Sequence, residues 1–134
     1  MGTAYYPTLE HPIEGYDPAV EVSGKPIAHS IELLDEICDR IGQKTLTSFY
    51  SESSAEAFET IGEDVPDDLP EGGPIHWTDP ADGLRTVAAL SDYLRLHPNA
   101  VPNSAAVMDD LKSFRTVFSK ALEHGTRFRL RIDI

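Results

Sequence analysis

The chain has a single cysteine in 134 residues, so it has no intrachain disulfide, and its fold must rest on burial and hydrogen bonding instead. No apolar run approaches the ~18–20 residues that cross a bilayer as a helix. The first residues lack a basic stretch followed by an apolar core, so a secretory leader is not expected there. A glycine-rich phosphate loop, a nucleophile elbow, a paired Cys-x-x-Cys and an H-E-x-x-H are all missing. No catalytic residue and no cofactor are therefore assigned. Bases are scarce, with 11 Lys and Arg against 23 Asp and Glu and a net charge of −12. Such an imbalance argues against nucleic-acid binding and against an anionic membrane surface. The lone thiol fits a reducing compartment, and a cytoplasmic location is expected.

What charge there is lies unevenly. Residues 1–74 hold 16 acids and 3 bases, a net of −13, whereas residues 75–134 hold 7 acids and 8 bases, a net of +1. Two consequences can follow. The halves can pair with each other inside one fold, or the acidic half can form a face for a basic protein partner.

The strongest pattern is at the end of the chain. Val107, Leu111, Phe114, Phe118 and Ala121, with Leu122 beside the last, recur at the steps of three and four that line one face of an α-helix. Asn103 is placed as the N-cap, Lys120 and His124 in the last turn, and Gly125 at the stop. From Thr126 the period changes to two. Phe128, Leu130, Ile132 and Ile134 then face one way, and Arg127, Arg129 and Arg131 the other. The apolar row is expected to be buried, which requires a partner strand.

Upstream, residues 1–26 carry Pro7, Pro12, Pro18 and Pro26 and read as an extended arm, with an edge-like strand over Thr3 to Leu9. The spacing predicts a helix from Pro26 to Ile41, with Cys38 on its apolar stripe as a small buried hydrophobe, and a short helix over Thr45 to Tyr50. Ser53-Ser54-Ala55-Glu56 is a capping-box pattern that opens another helix, reaching Ile61. Residues 63–74 form an acidic loop rich in proline and glycine. Ile75 and Trp77 alternate with His76, which suggests a short strand over 75–78. Asp79 and Pro80 then begin a helix that runs to Leu96 and buries Leu84, Val87, Leu90 and Leu94.

Metal chemistry finds little footing. His29, Glu32 and Glu36 fall on one face of the helix expected over 26–41, but that face is the polar one, and a further ligand would be needed. The acidic loop lacks the alternating oxygen ligands of a calcium loop. No metal site is assigned. Arg127, Arg129 and Arg131 are the more informative group. Three like charges about 7 Å apart along one strand repel and call for compensation. The carboxylates of the first half can supply it, in which case the row is a partly exposed pairing device and Arg129→Met changes stability only modestly. A bound phosphate or carboxylate can also supply it, with His76 and Trp77 beside the row.

The stretches Tyr6-Pro7-Thr8-Leu9-Glu10-His11-Pro12 and Trp77-Thr78-Asp79-Pro80-Ala81-Asp82-Gly83-Leu84, together with Gly125 ahead of Phe128-Arg129-Leu130-Arg131-Ile132-Asp133, resemble a small family of functionally uncharacterised bacterial proteins of similar length. The resemblance covers most of the chain. It implies a bacterial, cytoplasmic domain and transfers no catalytic residue.

The expected fold is one α+β domain over residues 1–134, with four to five helices packed on a small sheet that includes the C-terminal strand. The expected function is that of a non-enzymatic interaction or regulatory protein. The alternative is a small-molecule or anion binder, or an enzyme, that uses Arg127, Arg129 and Arg131 with His76 and Trp77.

Overall fold

The helical stripe and the alternating tail fold as their periods dictate. In the computed structural model, which describes residues 3–64 and 75–134, strand β1 (Ala4–Leu9) is followed by helices α1 (Pro18–Glu21), α2 (Lys25–His29) and α3 (Ile31–Ile41). A 3-10 turn (Thr47–Phe49) and helix α4 (Ser54–Thr60) come next, then the long helices α5 (Pro80–Leu96) and α6 (Ser104–Glu123), and last strand β2 (Phe128–Asp133). The class is α+β, with six α-helices among the described residues and a two-stranded antiparallel sheet. The acidic loop expected over 63–74 lies, from residue 65 onward, outside the described residues; Glu63 and Asp64 are exposed.

β1 and β2 pair along their whole length, from Ala4 opposite Asp133 to Leu9 opposite Phe128. The parity of this ladder explains how a proline fits inside it. The N–H of Glu10 donates to the carbonyl of Arg127 at 2.9 Å, whereas the N–H of Tyr5 points the other way, to Gly24. Odd-numbered residues of β1 therefore turn their N–H away from β2, and Pro7 removes no ladder bond. The second edge of β2 is closed piecemeal. Phe128 and Thr78 exchange both backbone bonds, at 3.0 and 2.7 Å, and the N–H of Ser51 donates to the carbonyl of Leu130. At Ile132 the backbone N–H finds the Glu52 carboxylate at 3.2 Å. The strand expected over 75–78 is reduced to the single bridge at Thr78, because Asp79 and Pro80 start α5 directly after it.

The core sits between α5, α6, α3 and the inner face of β2. Val107, Leu111, Phe114, Phe118 and Ala121 are all buried, as their spacing requires, and Phe128 and Leu130 join them from β2. Phe118 lies against Phe128, with ring centroids 4.3 Å apart, and Phe49 meets Phe128 edge-on at 5.4 Å. Helix α5 approaches this aromatic group through Gly83, where a Cβ would stand 2.9 Å from the rings of Phe118 and Phe128. Burying such rings is the main source of stability here, at roughly 1.5–3 kcal/mol for each large side chain. Burial fades along the tail: Ile132 is half-buried and Ile134 exposed, beyond the last pair of the ladder.

Several expectations need correction. The helix expected over 26–41 is two helices, broken at Ser30, whose φ of −115° and ψ of 17° leave the helical region. Serine competes for backbone hydrogen bonds and tolerates such a break. His29 consequently ends α2 while Glu32 and Glu36 ride on α3, so the three do not share a helix face. With the extra helix α1 near Pro18, the break raises the helix count above the four to five expected. Asn103 precedes α6 but makes no side-chain cap; it adopts the left-handed conformation, φ 52°, that asparagine tolerates better than most residues. Leu84 is only half-buried, and α5 instead packs inward through Pro80, Gly83, Thr86, Val87, Leu90 and Leu94.

One buried contact seats the start of α2. Asp110 stands on the inward face of α6, and its two carboxylate oxygens accept the backbone N–H groups of Gly24, at 2.9 Å, and Ile27, at 3.2 Å. These are donors that the start of α2 leaves unpaired. Gly24 has φ +74° and passes so close to Tyr5 that a Cβ would fall 1.8 Å from the Tyr5 carbonyl. Asp110 thereby fixes α2 and, through Gly24, the edge of β1 on α6. Burial pushes its carboxyl above the usual carboxylate range, against the backbone donors that pull it down.

Candidate functional site: the arginine face of the terminal strand and the cleft beside Trp77

Alternation places Arg129 and Arg131 on the outer face of β2, with Arg127 on the same side just ahead of the strand. Each guanidinium meets a carboxylate from the first half of the chain. Arg127 is exposed and grips Glu10 with two bonds, 2.8 and 2.6 Å. Arg129 is 6% exposed and forms a two-pronged pair with Glu56, both bonds at 2.7 Å, while its Nη1 also donates to the carbonyl of Ser51 at 3.0 Å. Arg131 lies 3.3 Å from Glu56 and 3.6 Å from Glu52. Tyr6 from β1 sits under the Arg131 guanidinium at 6.0 Å, and Trp77 lies 5.2 Å from that of Arg129.

The acids reach these positions for local reasons. Ser53 and Glu56 close the capping box that the sequence spells, with Ser53 N–H on the Glu56 carboxylate at 2.9 Å and Glu56 N–H on Ser53 Oγ at 3.1 Å. That geometry turns Glu56 back over the start of α4 and toward β2. Its carboxyl is pushed down to about 2, chiefly by the hydrogen bonds from Arg129, against the opposing effect of burial. Glu52 has its side chain almost wholly enclosed and receives the Ile132 N–H and the Thr60 hydroxyl. No residue of α4 is fully buried. This helix is tied to the body by charge-assisted bonds rather than by an apolar face.

The expectation that the arginine row is partly exposed holds for Arg127 and fails for Arg129. Trp77, Ser51 and α4 close over the Arg129 side chain and exclude water from it. The modest cost expected for Arg129→Met gives way to a larger one, because the substitution leaves a largely buried carboxylate without its main partner.

His76 and Trp77 lead away from the row. The His76 backbone N–H donates to Ser51 Oγ at 2.9 Å, and its ring is exposed. Both residues line a cleft of about 530 Å³ between the start of α5 and the segment that links α3 to the 3-10 turn. Asp39, Gln43, Lys44, Thr45 and Ser48 form the opposite wall, and Asp79 and Asp82 the floor of α5. Asp82 is neutralised twice, by Lys44 at 3.0 Å and Arg85 at 2.7 Å, and these partners hold its carboxyl below the usual range, Lys44 foremost. The structure thus brings Trp77 together with Arg129 on one side and with His76 on the other, and leaves Arg127 apart with Glu10.

Asp110, Glu52 and Glu56 escape a reading of the sequence, whereas the burial expected of Cys38 is what the structure shows. Asp110 sits in the apolar stripe of α6, one position before Leu111, and that interruption was a visible signal. Glu52 and Glu56 carry no signal beyond the capping box, since their partners lie more than seventy positions away. Cys38 is fully buried and its thiol is pushed up to about 12 by that burial, which removes the thiolate a nucleophile needs. Among the described residues no group of three or more His, Cys, Asp and Glu side chains is placed to hold a metal ion, and no helix is long and apolar enough to cross a membrane. Set against protein-family models, curated proteins and solved structures, the chain matches none of them, and the reading of this site rests on its own geometry.

Proposed function

We propose that the protein is a non-enzymatic interaction protein whose acidic outer surface receives a basic protein partner in the cytoplasm. One observation carries the proposal: more than half of the bases are occupied within the chain, while many of its acids are not. Lys44, Arg85, Arg95, Arg127, Arg129 and Arg131 all close ion pairs with acids of the same chain. Asp17, Glu21, Glu32, Glu36 and Asp39, spread over α1 to α3 and the cap of α1, are exposed, and among the described residues none of them is in an ion pair. Lys25 and Arg40 are exposed on the same helices, so the field there is negative in balance, and such a field steers a basic partner and sets its on-rate.

The test is a titration with a lysine-rich peptide followed by amide NMR. Shifts centred on residues 17–39, weakened by salt and lost in a Glu32→Lys/Glu36→Lys protein, support the proposal. Shifts centred on β2, or none at low salt, overturn it. A second reading, in which the arginine row binds an anion, draws on Arg129 Nε and Arg131 Nε, which are buried without a hydrogen bond among the described residues. Sulfate or phosphate that raises the melting temperature at constant ionic strength, in the wild type but not in Arg129→Met, would favour it instead.

A further inference from the structure

The cleft beside Trp77 has a chemistry of its own. Its walls carry acceptors, the Asp39 and Asp79 carboxylates; a cationic donor, the Lys44 ammonium, which gives one of its three N–H groups to Asp82 at 3.0 Å; and groups that do both, the Gln43 amide and the Thr45 and Ser48 hydroxyls. Asp79 spends one oxygen on the Ala81 N–H, at 2.9 Å, as the cap of α5. Neither Asp39 nor Gln43 has a side-chain hydrogen bond within the described residues. Trp77 is half-buried and presents an indole to this polar surround.

The mixture discriminates among ligands. An anion needs donors alone, and Asp39 and Asp79, neither of them in an ion pair among the described residues, oppose it. A cation needs acceptors alone, and Lys44 opposes it; the Arg129 guanidinium already lies over the Trp77 ring at 5.2 Å, so a second cation at that ring would meet a like charge. An apolar molecule would strand every polar group on the walls. A neutral molecule that carries several hydroxyls, each donating and accepting, together with one C–H face for the indole, satisfies all of them. We infer that this cleft binds a saccharide, one pyranose or furanose ring seated against Trp77 with its hydroxyls shared among Asp39, Gln43, Lys44 and Asp79. This site borders the acidic surface proposed for the basic partner and shares Asp39 with it, but the inference does not rest on that reading.

Trp77 is the only tryptophan of the chain, so its emission reports on this cleft alone. The full-length protein is titrated with cellobiose, maltose, methyl mannoside and ribose, with choline chloride and inorganic phosphate as controls at equal ionic strength, and amide NMR is recorded in parallel so that a silent fluorophore is not mistaken for an empty site. The expected result is a saturable change with at least one sugar, at a Kd of about 10 mM or tighter, with amide shifts confined to residues 39–48 and 76–82. Asp39→Ala and Gln43→Ala are each expected to weaken it about tenfold, the loss of one net hydrogen bond. The inference is overturned if no sugar gives a saturable response by either method, if both variants bind as the wild type does, or if choline or phosphate saturates the cleft in place of the sugars.

Discussion

Two carboxylates hold two short helices to the body of this protein, and their surroundings push them in opposite directions. Glu56, on α4, meets the Arg129 guanidinium with two bonds of 2.7 Å. Asp110, on α6, meets backbone N–H groups, those of Gly24 and Ile27 foremost, and among the described residues no cationic side chain is in an ion pair with it. Full positive charge outweighs burial at Glu56, and its carboxyl falls to about 2. Partial positive charge does not outweigh it at Asp110, and its carboxyl rises. The sign of the shift is thus a balance: Glu56 is the less buried of the two and meets a full charge, whereas Asp110 is the more buried and meets dipoles.

The sharpest way to break the comparison is to remove the guanidinium. Arg129→Met leaves Glu56 and Glu52 facing β2 with only Arg131 to answer them, and the expected loss is about 3 kcal/mol by chemical denaturation, the lower end of the range for a buried pair broken from one side. Glu56 keeps 19% of its side chain exposed, which is why the lower end applies. In the double variant Arg129→Met/Glu56→Met much of that loss should return. A double variant no more stable than Arg129→Met would mean that the pair is not what binds α4 to β2.

Asp110→Asn comes next. Asparagine offers one acceptor and one amide donor where two N–H groups need acceptors, so one backbone donor is left buried and unpaired at an expected cost of about 1–3 kcal/mol. Hydrogen exchange should localise the damage to Tyr5, Gly24 and α2, while α5 and α6 keep their protection. Uniform loss of protection across the fold would contradict the picture of Asp110 as a local clasp.

pH separates the two acids without any change of shape. Glu56 titrates lower in the fold than in the unfolded chain, so its contribution is fully present above pH ~5 and fades as the pH falls toward 2. Asp110 titrates higher in the fold, so its contribution is fully present below its unfolded value near 4 and is lost as the pH rises through its raised value. Against wild type, Glu56→Gln should flatten the acid limb of the stability curve, and Asp110→Asn should gain relative stability as the pH rises from 4 to neutrality. Denaturation midpoints between pH 3 and 8 decide this, and slopes of the same sign for both variants would refute the contrast.

The smallest effect is expected at the exposed end of the row. Arg127→Ala should leave the unfolding midpoint within error of the wild type at moderate salt, since Arg127 and Glu10 pair in water where the interaction is screened. A loss comparable to that of Arg129→Met would show that exposure does not govern the strength of these pairs.

Much of this architecture was legible in residue order. The stripe from Val107 to Ala121, the alternation from Phe128, the Ser53–Glu56 box and the Asp79–Pro80 start are local patterns, and each became the element that its period or cap requires. Local patterns work because the backbone interactions they specify span at most a few residues. The break at Ser30 was not legible, because the apolar spacing continues through it and a contact from α6, eighty positions away, seats α2 separately. What the sequence settled about the arginine row was its sidedness, which alternation alone imposes, and the need for compensating charge, which follows from Coulomb repulsion. Which acid meets which arginine, and which pair loses its water, only the tertiary structure decided. Those depend on where α4 and the Trp77 segment close over β2, and the strength of a charge pair is set by the solvent that such closure removes rather than by the residues that form it.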